Sequence, residues 1–254
     1  MQAAAELQPV DTLLGGRVQV AQPADGYRVA VDAVLLAAAI DASPGERVLD
    51  LGCGVGSVGL CIAWRLPTLR ITGLDREPVF VAAARANAVA NGMRERVTIC
   101  EGDVLDPPAS LRGEIYDQIA MNPPYLKAGT ATVSAHPLKA AATAEGAAKL
   151  DDWIVCARTL LRPGGVLTLI HRADRLADVL QSVAQDFGRI AILPIQPRRD
   201  SAAKRILLRA RLGTGEPLVL LPPLVLHEED GAFTEAAEGI LRHGRPLPMQ
   251  AGQA

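Results

Sequence analysis

The stretch that most constrains this chain is RVLDLGCGVGSVGLCIAWRL, residues 47–66. A short apolar run, RVLDL, leads with no spacer into glycines at 52, 54 and 56 and then into a helical pattern, SVGLCIAWRL. LRITGLD (69–75) follows as a second β run that ends in an acid. A strand turning over glycines into a helix, with another strand behind it, is the start of a parallel sheet covered by helices.

The alternation continues. Pro78 opens a helix over VFVAAARANAVANG that stops at Gly92. RVTICEGD (96–103) is a third strand and IYDQIAMN (115–122) a fourth; DDWIVCARTLLRPGG (151–165) is a helix ended by Pro163 and the glycines. VLTLIHR (166–172) is a fifth strand, ADRLADVLQSVAQDFG a helix, and RIAILPI with KRILLRARL a final pair. No helical period separates that pair, so the last strands should be antiparallel. Upstream, GRVQVAQPADGYRV predicts a hairpin turning at Pro23 to Gly26, and VDAVLLAAAI an apolar helix over the sheet edge or the site.

With 254 residues, 49% of them hydrophobic, the chain can bury a sizeable core. No apolar stretch reaches the roughly 18 charge-free residues of a membrane span, and the start lacks the basic end and apolar middle of a signal peptide. The expectation is a soluble, cytoplasmic protein. Cys53, Cys61, Cys100 and Cys156 show no C-x-x-C pairing, which argues for small buried residues and against a metal site or disulfides. A net charge of −2 carries no global nucleic-acid signal. Locally, QPRRDSAAKRILLRAR (196–211) sets Arg198, Arg199, Lys204, Arg205, Arg209 and Arg211 against the single acid Asp200. This is either a nucleic-acid patch or a loop and edge strand protected by charge.

Two cofactors fit the glycine loop. GVGSVG satisfies the dinucleotide fingerprint with Gly54, Gly56 and Gly59, and Asp75 lies where a ribose-binding acid belongs, so an NAD-dependent dehydrogenase is one reading. The turn, however, begins earlier, at Asp50, Gly52 and Gly54, which makes a wider loop suited to a cofactor without phosphates.

DLGCGVG with Asp75, then Asp103 after the third strand and Asn122-Pro123-Pro124-Tyr125 after the fourth, resembles the class I S-adenosylmethionine-dependent methyltransferases of the amino-methylating kind. The likeness covers residues 26–210. It implies a Rossmann-like, seven-stranded, mostly parallel α/β sheet with helices on both faces and an antiparallel last strand. It implies residues 1–25 as an N-terminal extension with the start of the hairpin, 26–212 as the methyltransferase domain, and 213–254 as a partly disordered tail. In such enzymes the glycine loop, here Asp50, Gly52, Cys53, Gly54 and Gly56, cradles the methionine part of the cofactor. The acid in the place of Asp75 holds the ribose hydroxyls, and the acid in the place of Asp103 accepts from the adenine amine; Arg76, Val104 and Asn122 complete the implied cofactor contacts. Asp32, ahead of an apolar helix, borders the cofactor by the same likeness or is a simple N-cap.

The Asn-Pro-Pro-Tyr corner has a chemical reading. An amine conjugated to a ring or carbonyl has a delocalised lone pair that must be freed before it can attack a methyl group in line. If the Asn122 side-chain oxygen and the Pro123 carbonyl each accept one amine hydrogen, the nitrogen is held with its lone pair aimed at the methyl, without a dedicated base. Pro124 restricts Pro123 to an extended backbone, and Tyr125 offers a stacking face worth about 1 to 3 kcal/mol per base.

The motif leaves the substrate open between adenine amines, guanine amines of ribosomal RNA and the release-factor glutamine amide. The whole arrangement looks most like small bacterial methyltransferases of the tRNA adenine-N6 type. That implies a tRNA partner, no metal and no membrane, with Lys127, Arg198, Arg199 and Lys204 beside Tyr125 as substrate contacts. LKAGTATVSAHPLKAAATAEGAAKL (126–150) is expected to act as a flap in which Lys127, His136 and Lys139 contact phosphates, or as a passive loop. His171, at the end of the fifth strand, is read as ordering a loop and not as catalytic. A non-catalytic RNA-binding module is a third reading, in which the basic segment carries the affinity and Asn122 is dispensable.

Overall fold

The computed structural model describes residues 7–23, 31–125 and 146–250. The chain opens with an antiparallel hairpin of β1 (Leu7–Leu13) and β2 (Val18–Pro23). The expected turn at Pro23 to Gly26 falls, after Pro23, outside the described residues, and the hairpin that is described lies upstream of it. Reversal happens at Leu14, Gly15 and Gly16, all at positive φ (51°, 64° and 91°), where two glycines lower its cost. Pro23 instead ends a strand, a position that asks for no ladder N–H.

After α1 (Val31–Ala39), strands and helices alternate: β3 (Arg47–Leu51), α2 (Ser57–Arg65), β4 (Arg70–Asp75), α3 (Pro78–Ala90) and β5 (Val97–Glu101). Then come α4 (Ala109–Arg112), β6 (Tyr116–Met121), α5 (Leu150–Leu160), β7 (Leu161–Arg172), α6 (Leu176–Val183), β8 (Phe187–Gln196) and β9 (Arg205–Leu212). The last elements are β10 (Val219–Leu220), β11 (Leu224–Val225) and α7 (Glu235–Leu241).

The sheet runs β10-β8-β9-β7-β6-β3-β4-β5, with β11 also on β8. Every pairing in it is parallel except the two made by β9. The seven expected strands are all present, and the two-residue β10 and β11 extend one edge. From β3 the chain steps outward through β4 to β5, then returns to β3's other side with β6. The crevice between β3 and β6 is thus the topological switch point, where ligands bind outside the carboxyl ends of strands.

Period-two alternation divides each strand between two cores. Val48, Ala120, Ile170 and Leu207 pack under α1, α2 and α3, whereas Leu49, Ile119, Leu169 and Leu208 face α4, α5 and α6. Apart from Asp32, helix α1 is apolar, and eight of its nine residues are buried, as befits a helix enclosed on every side.

Two boundaries depart from expectation. Helix α5 ends at Leu160 and not at the glycines, because Leu161 already pairs with Tyr116 as sheet and the residue before Pro163 is driven to an extended conformation. Residues 213–250 form part of the main core: Leu221, Leu224, Ile240, Leu241 and Leu247 are buried with α1 and α2. Hydrogen bonds tie this segment down, from Leu247 N–H to the Ala38 carbonyl at 2.9 Å and from Arg17 Nη1 to the Arg242 carbonyl at 2.7 Å.

Candidate active site

The glycine loop follows β3 directly. Gly52, Gly54 and Gly56 take φ of 75°, 53° and 86°, the left-handed region that side chains disfavour. At Gly52 space is a second constraint, because a Cβ there would stand 2.4 Å from the Trp153 ring of α5. Backbone N–H groups of Gly52 and Cys53 donate to the Leu74 carbonyl at 2.8 and 2.9 Å, and Gly54 N–H donates to Asp75 Oδ2 at 2.7 Å.

Asp50, expected among the cofactor contacts, lies beneath this loop and off the cavity wall. It is 2% exposed and accepts from Gly59 N–H at 3.0 Å, bracing the first turn of α2. Burial pushes its pKa up to about 7, partly opposed by that N–H. Gly56 is likewise off the wall; it is the left-handed N-cap of α2.

A cavity of about 170 Å³ opens above the switch point. Its wall contains Gly52, Cys53, Gly54 and Val55 from the loop, Asp75 and Arg76 after β4, Asp103 and Val104 after β5, and Asn122 to Tyr125 after β6. The sequence reading missed Ser57, Leu74, Phe80 and Trp153, which also line it. Phe80 and Trp153 were visible only as apolar helix positions, and their spacing does not reveal which one tops a crevice.

The polar groups are placed to bind. Asp75 accepts from Gly54 N–H through Oδ2 and from Glu77 N–H at 3.0 Å through Oδ1, and each oxygen keeps further acceptor capacity. Burial raises its pKa, and the two backbone donors oppose that rise. Asp103 accepts from Leu105 N–H at 3.0 Å and has Arg76 Nη1 3.8 Å away. Ser57, at the N-terminus of α2, lines the cavity, and its Oγ is buried with no hydrogen-bond partner. An orphaned hydroxyl at a helix N-terminus suits a carboxylate. Two acids with free acceptor capacity, an apolar wall and an anion-receptive helix end together fit the chemistry of S-adenosylmethionine.

The corner is set by register. Leu51 of β3 pairs with Met121 of β6, so Gly52 and Asn122 emerge side by side from neighbouring strands. Pro123 is buried, while Asn122, Pro124 and Tyr125 are partly exposed. The Tyr125 carbonyl accepts from Arg175 Nη1 at 2.9 Å, and its ring has Arg172 Cζ and Arg205 Cζ at 5.8 and 5.7 Å from its centroid. Arg205 Nε pairs with Asp32 Oδ2 at 3.0 Å, which places Asp32 within α1 on the cavity wall and not as its N-cap. Arg172 and Arg175 were not singled out in the sequence, and Arg205 appeared there only as one member of the basic run.

The basic segment is not one patch. Arg198 and Arg199 line a second cavity with Glu228, Glu229 and Asp230, whose charges oppose theirs. Lys204 lines neither cavity; its N–H bonds the Ile195 carbonyl at 3.0 Å. Arg205 stands at the rim, but Arg211 bonds the Gly164 carbonyl at the strand's far end, about 20 Å away at the usual rise per residue. Nor is β9 an edge strand, since it lies between β7 and β8.

Lys127, His136 and Lys139 lie outside the described residues. His171 is 2% exposed, with neither ring nitrogen hydrogen-bonded and no place on the cavity wall. Burial, then Arg175, pulls its pKa down to about 4. The four cysteines are free, and among the described residues no group of three or more His, Cys, Asp or Glu is placed to hold a metal ion. No helix there is long and apolar enough to cross a membrane.

The profile of the family described as "Methyltransferase small domain" matches residues 28–195. A tRNA1(Val) (adenine(37)-N6)-methyltransferase from Porphyromonas gingivalis is 34% identical over 177 residues, covering 67% of this chain and 69% of that protein. The protein of the same name from Aeromonas hydrophila is 30% identical, with 82% and 86% covered. A release factor glutamine methyltransferase from Chlorobaculum tepidum is 32% identical, with 63% and 56% covered. Among solved structures, a predicted O-methyltransferase from Agrobacterium tumefaciens superposes with a TM-score of 0.70 at 28% identity, covering 85% of this chain and 97% of its own. With the matched span running from α1 through most of β8 and enclosing the glycine loop and the Asn-Pro-Pro-Tyr corner, the chain belongs to the methyltransferase small domain family.

Proposed function

We propose that this protein is an S-adenosylmethionine-dependent N-methyltransferase acting on the exocyclic amine of adenine in tRNA. The observation that carries the reading is the Leu51–Met121 pairing, which delivers the glycine loop and Asn122 into one crevice. When bound, the cofactor supplies an electrophilic methyl group on a sulfonium.

The chain's residues do the rest. Gly52 to Gly54 leave backbone open beside the methionine part, with Ser57 Oγ for its carboxylate; Asp75 holds the ribose hydroxyls and Asp103 the adenine amine. Asn122 and Pro123 each accept one hydrogen of the substrate amine and orient its lone pair, and their oxygens face the positive charge that develops on nitrogen. Tyr125 stacks on the base. No side-chain base is required, because the methylated nitrogen, acidic while it carries the extra proton, releases it to water after the methyl has left sulfur; His171, buried off the cavity wall, takes no part.

The relatives named for tRNA adenine support this substrate more than the release-factor enzyme does, because the chain spans 69% and 86% of their lengths against 56% of the latter. Purified protein with labelled cofactor, offered total RNA, DNA and protein from a strain lacking the enzyme, should label the tRNA fraction at adenine N6. Label confined to protein would transfer the assignment to the glutamine amide. Calorimetry should show S-adenosylmethionine binding and no NAD binding.

A further inference from the structure

Arg172 on β7 and Arg205 on β9 are directly paired across adjacent antiparallel strands. Like charges in that relation are destabilising, so their presence at the carboxyl rim calls for a reason. Both guanidiniums approach the Tyr125 ring, at 5.8 and 5.7 Å. Their balancing carboxylates differ in kind. Asp32, partnering Arg205, is only 10% exposed and belongs to the cavity wall. Asp174, partnering Arg172 at 2.9 Å through Nε, is 58% exposed, and Arg172 is itself 38% exposed. Arg172 holds Asp174 through both Nε and Nη2, yet the pair is open to solvent, so a phosphate oxygen can compete with Asp174 for the same donors. Arg175, itself paired with Asp178, donates to the Tyr125 carbonyl.

Resting on the methyltransferase reading of the cavity, we propose that Arg172 and Arg205 bind the phosphodiester adjoining the target base, so that the base stacks on Tyr125 while its own phosphate is held at the rim. Two planar guanidiniums with several donors each match phosphate oxygens. An isolated glutamine side chain presents no such group, so the collar favours a nucleic-acid substrate over a release-factor protein. Arg198 and Arg199 are poorer candidates because they share their cavity with Glu228, Glu229 and Asp230.

The test compares Arg172→Gln and Arg205→Lys with Arg198→Gln and Arg199→Gln. Arg172→Gln should raise KM for unmodified tRNA about tenfold and lower the salt-dependence slope of tRNA binding by about one. Arg205→Lys keeps the charge for Asp32 but loses the fork, and it should shift KM in the same direction by less. The Arg198 and Arg199 variants should change KM less than Arg172→Gln does. Unchanged KM and slope in both collar variants would overturn the proposal.

A second arm needs no turnover. Adenosine 5′-monophosphate should compete with tRNA about tenfold better than adenosine on the wild type, and no better on Arg172→Gln. Equal potency of the two competitors on the wild type overturns the collar even where tRNA is still methylated. Failure of the wild type to bind S-adenosylmethionine would instead remove the reading on which the collar rests.

Discussion

At the scale of single residues, the site divides into groups that face the cavity and groups that hold those in place. Asp50 belongs to the second kind, and its burial yields a pH prediction. Its pKa in the folded protein is raised to about 7 from 3.8, so the folded state binds the extra proton between those values and stability falls as pH climbs through that window. Asp50→Asn keeps an acceptor for Gly59 N–H and removes the titration. Its stability relative to the wild type should therefore increase from pH 4 to pH 8 in urea titrations, by about 1.4 kcal/mol for every tenfold change in the wild-type proton affinity; a pH-independent difference would show that Asp50 stays charged. Asp75→Ala should weaken S-adenosylmethionine binding on the order of tenfold or more in calorimetry, because hydroxyls aimed at a buried acceptor would lose it. Most cavity residues were legible because loops after parallel strands have few places to go: Asp75 ends its strand, and Gly52, Asp103 and Asn122 follow theirs by one or two residues. Ser57, Phe80, Trp153 and the rim arginines were not, since their role arises from contacts between segments far apart in sequence.

At the scale of elements, apolar periodicity identified the central strands, and it failed where a local signal was overruled by pairing. The hairpin at the start turns on the glycines at 15 and 16, which the sequence reading did not single out; the glycines at 164 and 165 suggested a helix end, but strand pairing with Tyr116 begins at Leu161. The segment after β9 was the least legible, because its apolar residues are spaced irregularly and acquire meaning only against α1 and α2. Leu221, Leu224, Ile240, Leu241 and Leu247 are at most 8% exposed. Burying each contributes about 1.5–3 kcal/mol, a sum comparable with the 5–15 kcal/mol that holds most domains together. A chain ending at residue 213 should therefore fail to show a cooperative thermal transition. A truncated protein melting within a few degrees of the full chain would contradict this account of the segment.

At the scale of the whole molecule, one sheet order produces the site. Because β4 and β5 lie on one side of β3 and β6 and β7 on the other, the glycine loop and the Asn-Pro-Pro-Tyr corner leave neighbouring strands at matched heights. The fold class followed from the alternation of strands and helices, whereas charge could not be read linearly. A basic run that is continuous in sequence becomes a rim arginine on Tyr125, a pair facing acids in a second cavity and an arginine at the opposite strand end. The measurement that bears most directly on the central claim is single-turnover methyl transfer to tRNA by Asn122→Ala, with cofactor affinity measured on the same preparation. Cofactor affinity should remain close to that of the wild type while the transfer rate falls on the order of 100-fold or more, the loss typical of removing one group that stabilises developing charge. A wild-type transfer rate with that side chain gone would contradict it.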